Sequence, residues 1–110
     1  LIVPAERVKT PAGGQRKVVV VAEAEGASAL FLVGGGPELG SWEPKAAPRG
    51  KRLADGRFQF ELMLPVQGVC AFKLVREHRG ALDWEQRDNR YLVVGDATDN
   101  ALSLQFEGGN

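Results

Sequence analysis

Short runs in which apolar and polar residues alternate, each ended by a turn residue, constrain the fold of this chain more than any other feature. In the clearest run, Phe58, Phe60 and Leu62 alternate with polar residues, so one face of an extended strand would be apolar and the other hydrated. No run has the length and the 3.6-residue period of an amphipathic helix. Seven runs, enriched in β-branched or aromatic residues, are predicted as strands: residues 17–24, 29–33, 58–64, 69–76, 82–86, 91–94 and 101–106.

The spacing of these runs predicts an all-β fold, an antiparallel β-sandwich of seven to eight strands with an immunoglobulin-like arrangement. Turn residues at 65–68 and 78–80 predict hairpins that join three consecutive strands into a meander. Residues 34–56 form the longest segment without a strand pattern. Because this segment contains Trp42 and residues with specific turn chemistry, we expect an ordered, functional loop.

Length and composition are consistent with one compact domain. The chain has 110 residues, and its 14 basic and 14 acidic side chains give a formal net charge of +0. This balance lacks the basic surface that nucleic acid or an anionic membrane would require, so neither is an expected partner. The longest apolar run, 18–22, is far too short to span a membrane. The single cysteine, Cys70, begins an apolar stretch and is expected to be a small buried hydrophobe.

Residues 1–15 combine prolines, glycines and mixed charges, which predicts a linker or N-terminal arm. The domain itself is expected to span residues 16–107, with a C-terminal tail at 108–110. The chain begins without a methionine, which favours a module excised from a longer protein. The absence of a disulfide framework favours an intracellular setting, in the plastid or the cytosol.

Catalytic and metal-binding motifs are weak in this sequence. Three glycines at 34–36 are not followed by the Lys-Ser/Thr pair and helix of a nucleotide-binding loop. His78 is the only histidine, so a catalytic triad or a histidine metal cluster lacks its residues. Asp83 and Glu85 would share a strand face about 7 Å apart, a spacing compatible with an inverting glycosidase but common by chance. We therefore expect no enzyme activity, no cofactor and no metal in this chain.

The two tryptophans, Trp42 and Trp84, lie among Gly, Pro, Glu, Asp and Asn rather than in apolar runs. One interpretation is a pair of exposed rings that form a platform for a ligand. The alternative is a half-buried core indole whose N–H donates to a backbone carbonyl. Their positions alone leave both interpretations open.

Four short segments occur in an order that is specific when they are taken together. They are Phe-Leu-Val-Gly-Gly-Gly-Pro-Glu-Leu-Gly-Ser-Trp-Glu-Pro at 31–44, Ala-Phe-Lys-Leu-Val at 71–75, Asp-Trp-Glu at 83–85 and Asp-Asn-Arg at 88–90. In this order the segments resemble the starch-binding domain, the family 20 carbohydrate-binding module, over residues 17–106. The resemblance implies an open-sided antiparallel β-sandwich that binds α-1,4-glucans, such as starch, glycogen or maltooligosaccharides.

The resemblance also implies roles for individual residues. Family members stack sugar rings on two tryptophans, which correspond to Trp42 and Trp84. They bind sugar hydroxyls through a lysine and an asparagine, which correspond to Lys73 and Asn89. One main surface site is therefore expected around these four side chains.

Two further expectations follow from the same resemblance. Glu43 and Glu85 adjoin the tryptophans and are expected to add backbone or side-chain contacts. Many family members have a second glucan site built around tyrosines, but residues 25–29 and 53–60 contain none. The second site is therefore expected to be lost or weakened.

Together these features predict a non-catalytic module that targets a larger protein to an α-glucan. The module is expected to be monomeric and tethered to another domain. Two other functions remain open at this point. The chain could be a fragment of a glucan-active enzyme, such as an amylase, glucanotransferase, glucan phosphatase or dikinase, with catalysis outside these residues. It could instead be an immunoglobulin-like domain that presents Trp42 and Trp84 to a protein partner.

Overall fold

The computed structural model describes residues 14–66, 68–94 and 99–108. Most of the predicted N-terminal arm, and residues 109 and 110 of the predicted tail, lie outside the described residues. The described chain forms the strands β1 (Gln15–Glu23), β2 (Ala29–Gly34), β3 (Lys51–Arg52), β4 (Phe58–Pro65), β5 (Val69–His78), β6 (Ala81–Trp84), β7 (Arg90–Val93) and β8 (Asp99–Gln105), and the 3₁₀ segments Pro37–Trp42 and Pro44–Ala46.

The strands form two sheets that pack face to face. The first sheet has the order β3-β4-β1-β8, and the second has the order β2-β5-β6, with β7 also paired to β5. All pairs are antiparallel except β1 and β8, which run parallel with Val20 opposite Leu102. Parallel pairing is possible here because most of the domain separates the two strands in sequence. The predicted β-sandwich is confirmed, and the parallel pair adds a feature that the strand pattern did not predict.

Alternation along the strands decides which side chains enter the core. In β1, Val18, Val20 and Ala22 are fully buried, whereas Lys17 and Glu23 are exposed. Apolar side chains from both sheets meet in one interior cluster: Val18, Val20, Ala22, Ala27, Leu30, Leu32, Leu39, Phe58, Phe60, Leu62, Leu64, Phe72, Leu74, Leu92, Val94 and Phe106. Burial of each large side chain in such a cluster contributes about 1.5–3 kcal/mol, so this cluster provides most of the stabilisation.

Cys70, predicted as a small buried hydrophobe, packs against the edge of the interior cluster and is half-buried. Cys70 is the second residue of β5 and lies two residues before the inward residue Phe72. Burial raises the pKa of the Cys70 thiol, and the negative charge of Glu38 raises it further. The thiol is therefore held in its neutral, poorly nucleophilic form.

The connection between β4 and β5 does not form the predicted hairpin. β4 pairs with β1 and β3 in the first sheet, whereas β5 pairs with β2, β6 and β7 in the second. The three-strand meander prediction is therefore wrong, because the chain crosses from one sheet to the other between β4 and β5. The crossing lets the inward side chains of β4 and β5 face each other across the core instead of lying side by side in one sheet.

The predicted hairpin at 78–80 is confirmed. β5 and β6 pair antiparallel with His78 opposite Ala81. The two residues between them, Arg79 and Gly80, have φ values of +54° and +82°. Positive φ at both central residues is the geometry that matches the twist of two-residue hairpins.

Residues 34–56 form an ordered loop, as predicted, with more structure than the sequence pattern indicates. The two 3₁₀ segments lie in this loop, followed by a bridge between Phe31 and Arg49 and by β3, which pairs with β4. Leu39 of the loop is fully buried in the interior cluster and anchors it. In the described part of the chain, no helix is long and apolar enough to cross a membrane.

Candidate functional site

The face of the second sheet that points away from the first sheet, called here the outer face, holds several predicted site residues. In β5, Phe72 and Leu74 belong to the interior cluster, so the alternate residues Lys73 and Val75 point outward. Val75 lies opposite Trp84 of β6, and paired residues of an antiparallel ladder project to the same side. Lys73 and Trp84 are therefore diagonal neighbours on the outer face, roughly 7–8 Å apart.

Asn89 reaches the outer face through the pairing of β7 with β5. β6 and β7 share one edge of β5: β6 pairs along its second half, and β7 pairs along its first half. The last pair of the β5–β7 ladder is Phe72 with Arg90. Asn89 immediately precedes Arg90, so a register continued by one residue would place its side chain beside Lys73.

Trp42 approaches the same face from the loop that follows β2. Val33 of β2 lies opposite Lys73, so both point outward, and Gly35 continues this outward side beyond the strand. Nε1 of Trp42 lies 3.4 Å from the position that a Cβ atom would occupy at Gly35. The indole of Trp42 therefore lies at the end of the outer face beside Gly35 and Ala71, next to Lys73 along β5.

The backbone that presents Trp42 has an unusual conformation. Gly40, Ser41 and Trp42 have consecutive φ values of +82°, +49° and +66°. Non-glycine residues adopt this left-handed region at a cost of about 1–3 kcal/mol each, so the surrounding structure must hold them there. Leu39, immediately before them, is fully buried and supplies that anchor. Strain of this kind concentrates at functional sites.

Neither tryptophan belongs to the interior cluster. Trp42 is 39% exposed, and Trp84 is half-buried. Within the described residues, neither indole N–H donates a hydrogen bond. Val33 and Val75 are fully buried although they point outward, so the outer face has a thin apolar layer of its own. Trp84 lies opposite Val75 in this layer, which accounts for its partial burial.

Lys73 and Asn89 are half-buried polar side chains. Neither forms a hydrogen bond or an ion pair with any residue that the structure describes. An unpaired, partly desolvated donor lowers stability, and pairing it with a ligand group recovers that loss. These two side chains are therefore available for an incoming polar ligand.

Glu85 has the opposite character, because it is almost completely buried and fully paired. Only 2% of Glu85 is exposed. Its Oε1 accepts hydrogen bonds from the backbone N–H of Leu74 at 3.0 Å and from Nε of Arg90 at 2.9 Å. Its Oε2 accepts from Nη2 of Arg90 at 2.7 Å and from the backbone N–H of Glu107 at 3.0 Å. The predicted side-chain contact of Glu85 with a ligand is therefore not part of the function proposed below, whereas a backbone contact stays a prediction.

This buried pair fills the gap between β6 and β7 on the edge of β5. The Glu85 backbone N–H donates to the Leu74 carbonyl, and the carboxylate accepts from the Leu74 N–H. Burial by itself would raise the pKa of Glu85, but the hydrogen bonds from Arg90, Leu74 and Glu107 hold that pKa below its ordinary value. The pair thus fixes the segment that presents Trp84 and Asn89.

Arg90 is the supporting residue that the sequence analysis missed. In addition to its hydrogen bonds with Glu85, Arg90 donates from Nη2 to the Gln105 carbonyl at 2.8 Å. The same Nη2 atom lies 3.7 Å from the Glu107 carboxylate. The hydrogen bond with Glu85 raises the pKa of Arg90, so the guanidinium stays charged. A charge pair five residues apart is visible in the sequence, but the burial that makes it important is not.

Glu43 follows Trp42 and is exposed. One carboxylate oxygen, Oε1, lies 3.4 Å from the backbone N–H of Lys45 and caps the short 3₁₀ segment Pro44–Ala46. Pro44 is buried and fixes the chain direction at this point. Glu43 therefore shapes the loop after Trp42, and its predicted contact with a ligand stays a prediction.

The carboxylates that suggested a glycosidase are both engaged with arginines. Asp83 accepts from Nη2 of Arg76 at 2.6 Å, and Glu85 is paired with Arg90. Both side chains lie on the side of β6 opposite Trp84, because residues 83 and 85 alternate with residue 84. They are part of the scaffold and do not face the aromatic surface.

Other residues considered for catalysis have structural roles. Nδ1 of His78 lies 2.7 Å from the Gly26 carbonyl, which ties the start of β2 to the end of β5. A Cβ atom at Gly34 would lie 2.2 Å from the Ala71 carbonyl, so close packing requires this glycine. Among the described residues, no group of three or more His, Cys, Asp or Glu side chains could hold a metal ion.

A surface depression of about 600 Å³ lies away from the tryptophans. Its lining includes Glu25, Asp55 and Arg57, from the two segments in which tyrosines are missing. The aromatic ring in its lining, Phe106, is 8% exposed and lies 4.7 Å from the guanidinium of Arg76. The depression therefore lacks an open aromatic surface, and the expected loss of a second glucan site stays a prediction.

The fold and the outer face define a β-sandwich binding module with an aromatic surface. Residues 16–103 of the chain match the starch binding domain family. Glucoamylase-1 of Arthroderma benhamiae is 39% identical over 69 residues, which cover 59% of this chain and 11% of that protein. The chain belongs to the starch-binding domain family, family 20 of the carbohydrate-binding modules, and is therefore a binding module.

Solved structures agree on the fold. A glycoside hydrolase family 15 glucoamylase from Hypocrea jecorina superposes with a TM-score of 0.77 and 17% identity, over 91% of this chain and 18% of that chain. The family 20 carbohydrate-binding module of a maltotetraose-forming amylase from Pseudomonas saccharophila STB07 gives a TM-score of 0.62 and 19% identity, over 79% of this chain and 98% of that chain. The chain thus spans a small part of the glucoamylases but nearly all of an isolated module.

Proposed function

We propose that an α-1,4-glucan chain binds on the outer face, with its sugar rings stacked on Trp42 and Trp84 and its hydroxyls bonded to Lys73 and Asn89. One observation supports this proposal above all others. Two indoles outside the core and two donors without partners in the described ranges converge on one face of one sheet. The membership of the starch-binding family explains why a polysaccharide is the ligand.

The chemistry of this surface suits a sugar polymer. A pyranose ring has apolar C–H faces and a belt of hydroxyls, so an indole can cover a face while ammonium and amide groups bond the hydroxyls. By analogy with base stacking, each indole contributes about 1–3 kcal/mol. Much of this offsets the entropy lost on association. Short oligosaccharides should therefore bind with dissociation constants of order 10–100 μM or weaker, and a granule with many sites should bind by avidity.

The larger context of this module is also part of the proposal. The chain corresponds to 11% of the curated glucoamylase and to 18% of the glucoamylase from Hypocrea jecorina. We place it as a monomeric module tethered to a glucan-active enzyme whose catalytic residues lie outside these 110 residues. Its function is to hold that enzyme on starch or glycogen.

Affinity electrophoresis tests the proposed ligand directly. The module should migrate more slowly in a gel that contains amylopectin or glycogen than in a gel without polysaccharide. A variant with both Trp42→Ala and Trp84→Ala should migrate equally in all gels and keep its native circular dichroism. Equal migration of the unaltered module in all gels would contradict glucan binding and would favour a protein partner. Release of reducing sugar by the module alone would contradict its assignment as a binding module.

A further inference from the structure

Three exposed side chains continue the outer face beyond the proposed site. Tyr91 of β7 lies opposite Ala71 of β5, and the next outward pair is Val93 with Val69. Tyr91, Val93 and Val69 are 69%, 66% and 65% exposed. These three residues, called here the Tyr91 strip, form a contiguous apolar strip along β5 and β7.

The strip begins where the unpaired donors end. Tyr91 lies two residues after Asn89, which immediately precedes β7, and an extended chain places the two side chains on the same side, about 7 Å apart. Ala71 lies two residues before Lys73 on β5, again on the same side. Gly35, which lies beside Trp42, donates its backbone N–H to the Ala71 carbonyl, so Trp42 and Tyr91 lie on either side of Ala71. A chain that passes from Trp84 across Lys73 would meet both of these rings.

Tyr91 also differs from the phenylalanines whose rings meet arginines. Three phenylalanine rings each have an arginine guanidinium over one face. This is a favourable cation–π contact. These pairs are Phe31 with Arg49 at 5.8 Å, Phe58 with Arg52 at 4.7 Å and Phe106 with Arg76 at 4.7 Å. No guanidinium of the described residues covers Tyr91, and its neighbour Ala71 has only a methyl side chain. Tyr91 is therefore mostly exposed and has no such contact within the described part of the chain.

We propose that Tyr91 is a third stacking surface, which extends the site so that it takes a longer stretch of one α-glucan chain. This inference rests on the proposed function of Trp42 and Trp84. Tyrosine suits the position because its ring can cover a sugar face while its hydroxyl donates to or accepts from a sugar hydroxyl. A small aromatic strip fits a single polysaccharide chain, whereas three side chains supply far less than the roughly 800 Å² per partner of a stable protein interface.

Chain-length dependence of binding tests this inference. Titration calorimetry with maltotriose and with maltoheptaose would compare the unaltered module with Tyr91→Ala. Maltotriose is short enough to be held by the tryptophans and donors, so its affinity should not change. Maltoheptaose should bind about fivefold to tenfold more weakly to Tyr91→Ala, because one stacked ring is lost.

Two variants make the test specific. Tyr91→Phe keeps the ring, and its maltoheptaose affinity should stay within about twofold of the unaltered module. Met63→Ala removes another exposed apolar side chain, 53% exposed in β4 of the other sheet, and should have no effect on either ligand. Thermal unfolding of each variant would confirm that the domain remains folded.

The outcomes separate this inference from the proposed function. Unchanged maltoheptaose affinity in Tyr91→Ala would overturn the role of Tyr91 and leave the tryptophan site intact. Equal losses for maltotriose and maltoheptaose would also overturn it, because Tyr91 would then not extend the site. An unaltered module that binds neither oligosaccharide would contradict the proposed function itself.

Discussion

The inner and outer sides of residues 84–90 have opposite polar chemistry. On the inner side, Glu85 and Arg90 form an ion pair in which both carboxylate oxygens have partners. On the outer side, Asn89 and the nearby Lys73 have no partner among the described residues, and Trp84 lies outside the core. One short segment therefore combines a satisfied layer that stabilises the fold with an unsatisfied layer that is open to a ligand.

This difference shows how to distinguish scaffold from site in a small sandwich. Charged and aromatic residues occur on both sides, so residue type alone does not separate them. Hydrogen-bond pairing separates scaffold from site, because the inner groups have exchanged water for protein partners and the outer groups have not. If this distinction is correct, variants on the inner side should change stability, and variants on the outer side should change binding.

Removal of Arg90 should have the largest effect. Arg90→Met leaves the buried Glu85 carboxylate without its cation, and loss of one partner of a buried ion pair costs about 3–5 kcal/mol. Urea unfolding would measure the change. As a control, Arg57→Met breaks an exposed pair with Asp55 and should lower stability far less, because solvent screens exposed ion pairs. A stability loss in Arg90→Met no larger than in the control would show that the inner pair is not structural.

Removal of either tryptophan should have the next largest effect, and this effect should be on glucan binding rather than on stability. Trp42→Ala and Trp84→Ala should each weaken maltoheptaose binding by about tenfold or more while the domain stays folded. Calorimetry and thermal unfolding would measure the two quantities. Phe106→Leu is the matched control, since its ring contacts Arg76 and the core, and it should lower stability without a change in affinity. If a tryptophan variant unfolded instead, that indole would belong to the scaffold.

Removal of Lys73 or Asn89 should weaken glucan binding less than removal of a tryptophan. Lys73→Ala and Asn89→Ala each remove hydrogen bonds to sugar hydroxyls, which should weaken binding by about threefold to tenfold. Their stability should not fall, because neither side chain has a partner to lose among the residues that the structure describes. Lys17→Ala, which removes an exposed lysine of the first sheet 3.9 Å from Glu61, should leave affinity unchanged. Equal losses in Lys73→Ala and Lys17→Ala would indicate a general charge effect.

Acid should produce the smallest and most gradual change, a loss of folding stability that comes from the inner side. The pKa of Glu85 is lower in the folded state than its ordinary value of 4.5, so ionised Glu85 stabilises the fold above that pH. This stabilisation should disappear as the pH falls below 4.5 and through the folded-state pKa. Denaturant unfolding of the unaltered module and of Glu85→Gln at several pH values would measure it. The stability gap between them should narrow in acid, and a gap independent of pH would contradict the charge pairing.

The strands were predictable from the sequence because their signals are local. Alternation in residues 58–64 indicates one buried face without any knowledge of the neighbouring strand. Turn residues around Trp42 and Trp84 likewise indicate that neither ring lies within a continuous apolar run. The hairpin at Arg79 and Gly80 was predictable for the same reason, since its signal is a short turn between two strands.

The arrangement of the strands was not predictable, because it depends on contacts between distant residues. Nothing around residues 65–68 distinguishes a hairpin from a crossing to the other sheet. β3 is only Lys51 and Arg52, two exposed charged residues without an apolar signal. The parallel pairing of β1 with β8, and the burial of Glu85 against Arg90, likewise appear only when the chain is folded.

The most direct test of the central distinction is a nuclear magnetic resonance titration with maltoheptaose. The two indole N–H signals and the Asn89 side-chain amide report on the outer side, and the Nε–H signal of Arg90 reports on the inner side. We predict progressive, saturable shifts of the three outer signals and little change in the Arg90 signal. Outer signals that do not move at saturating maltoheptaose would contradict the proposed glucan site.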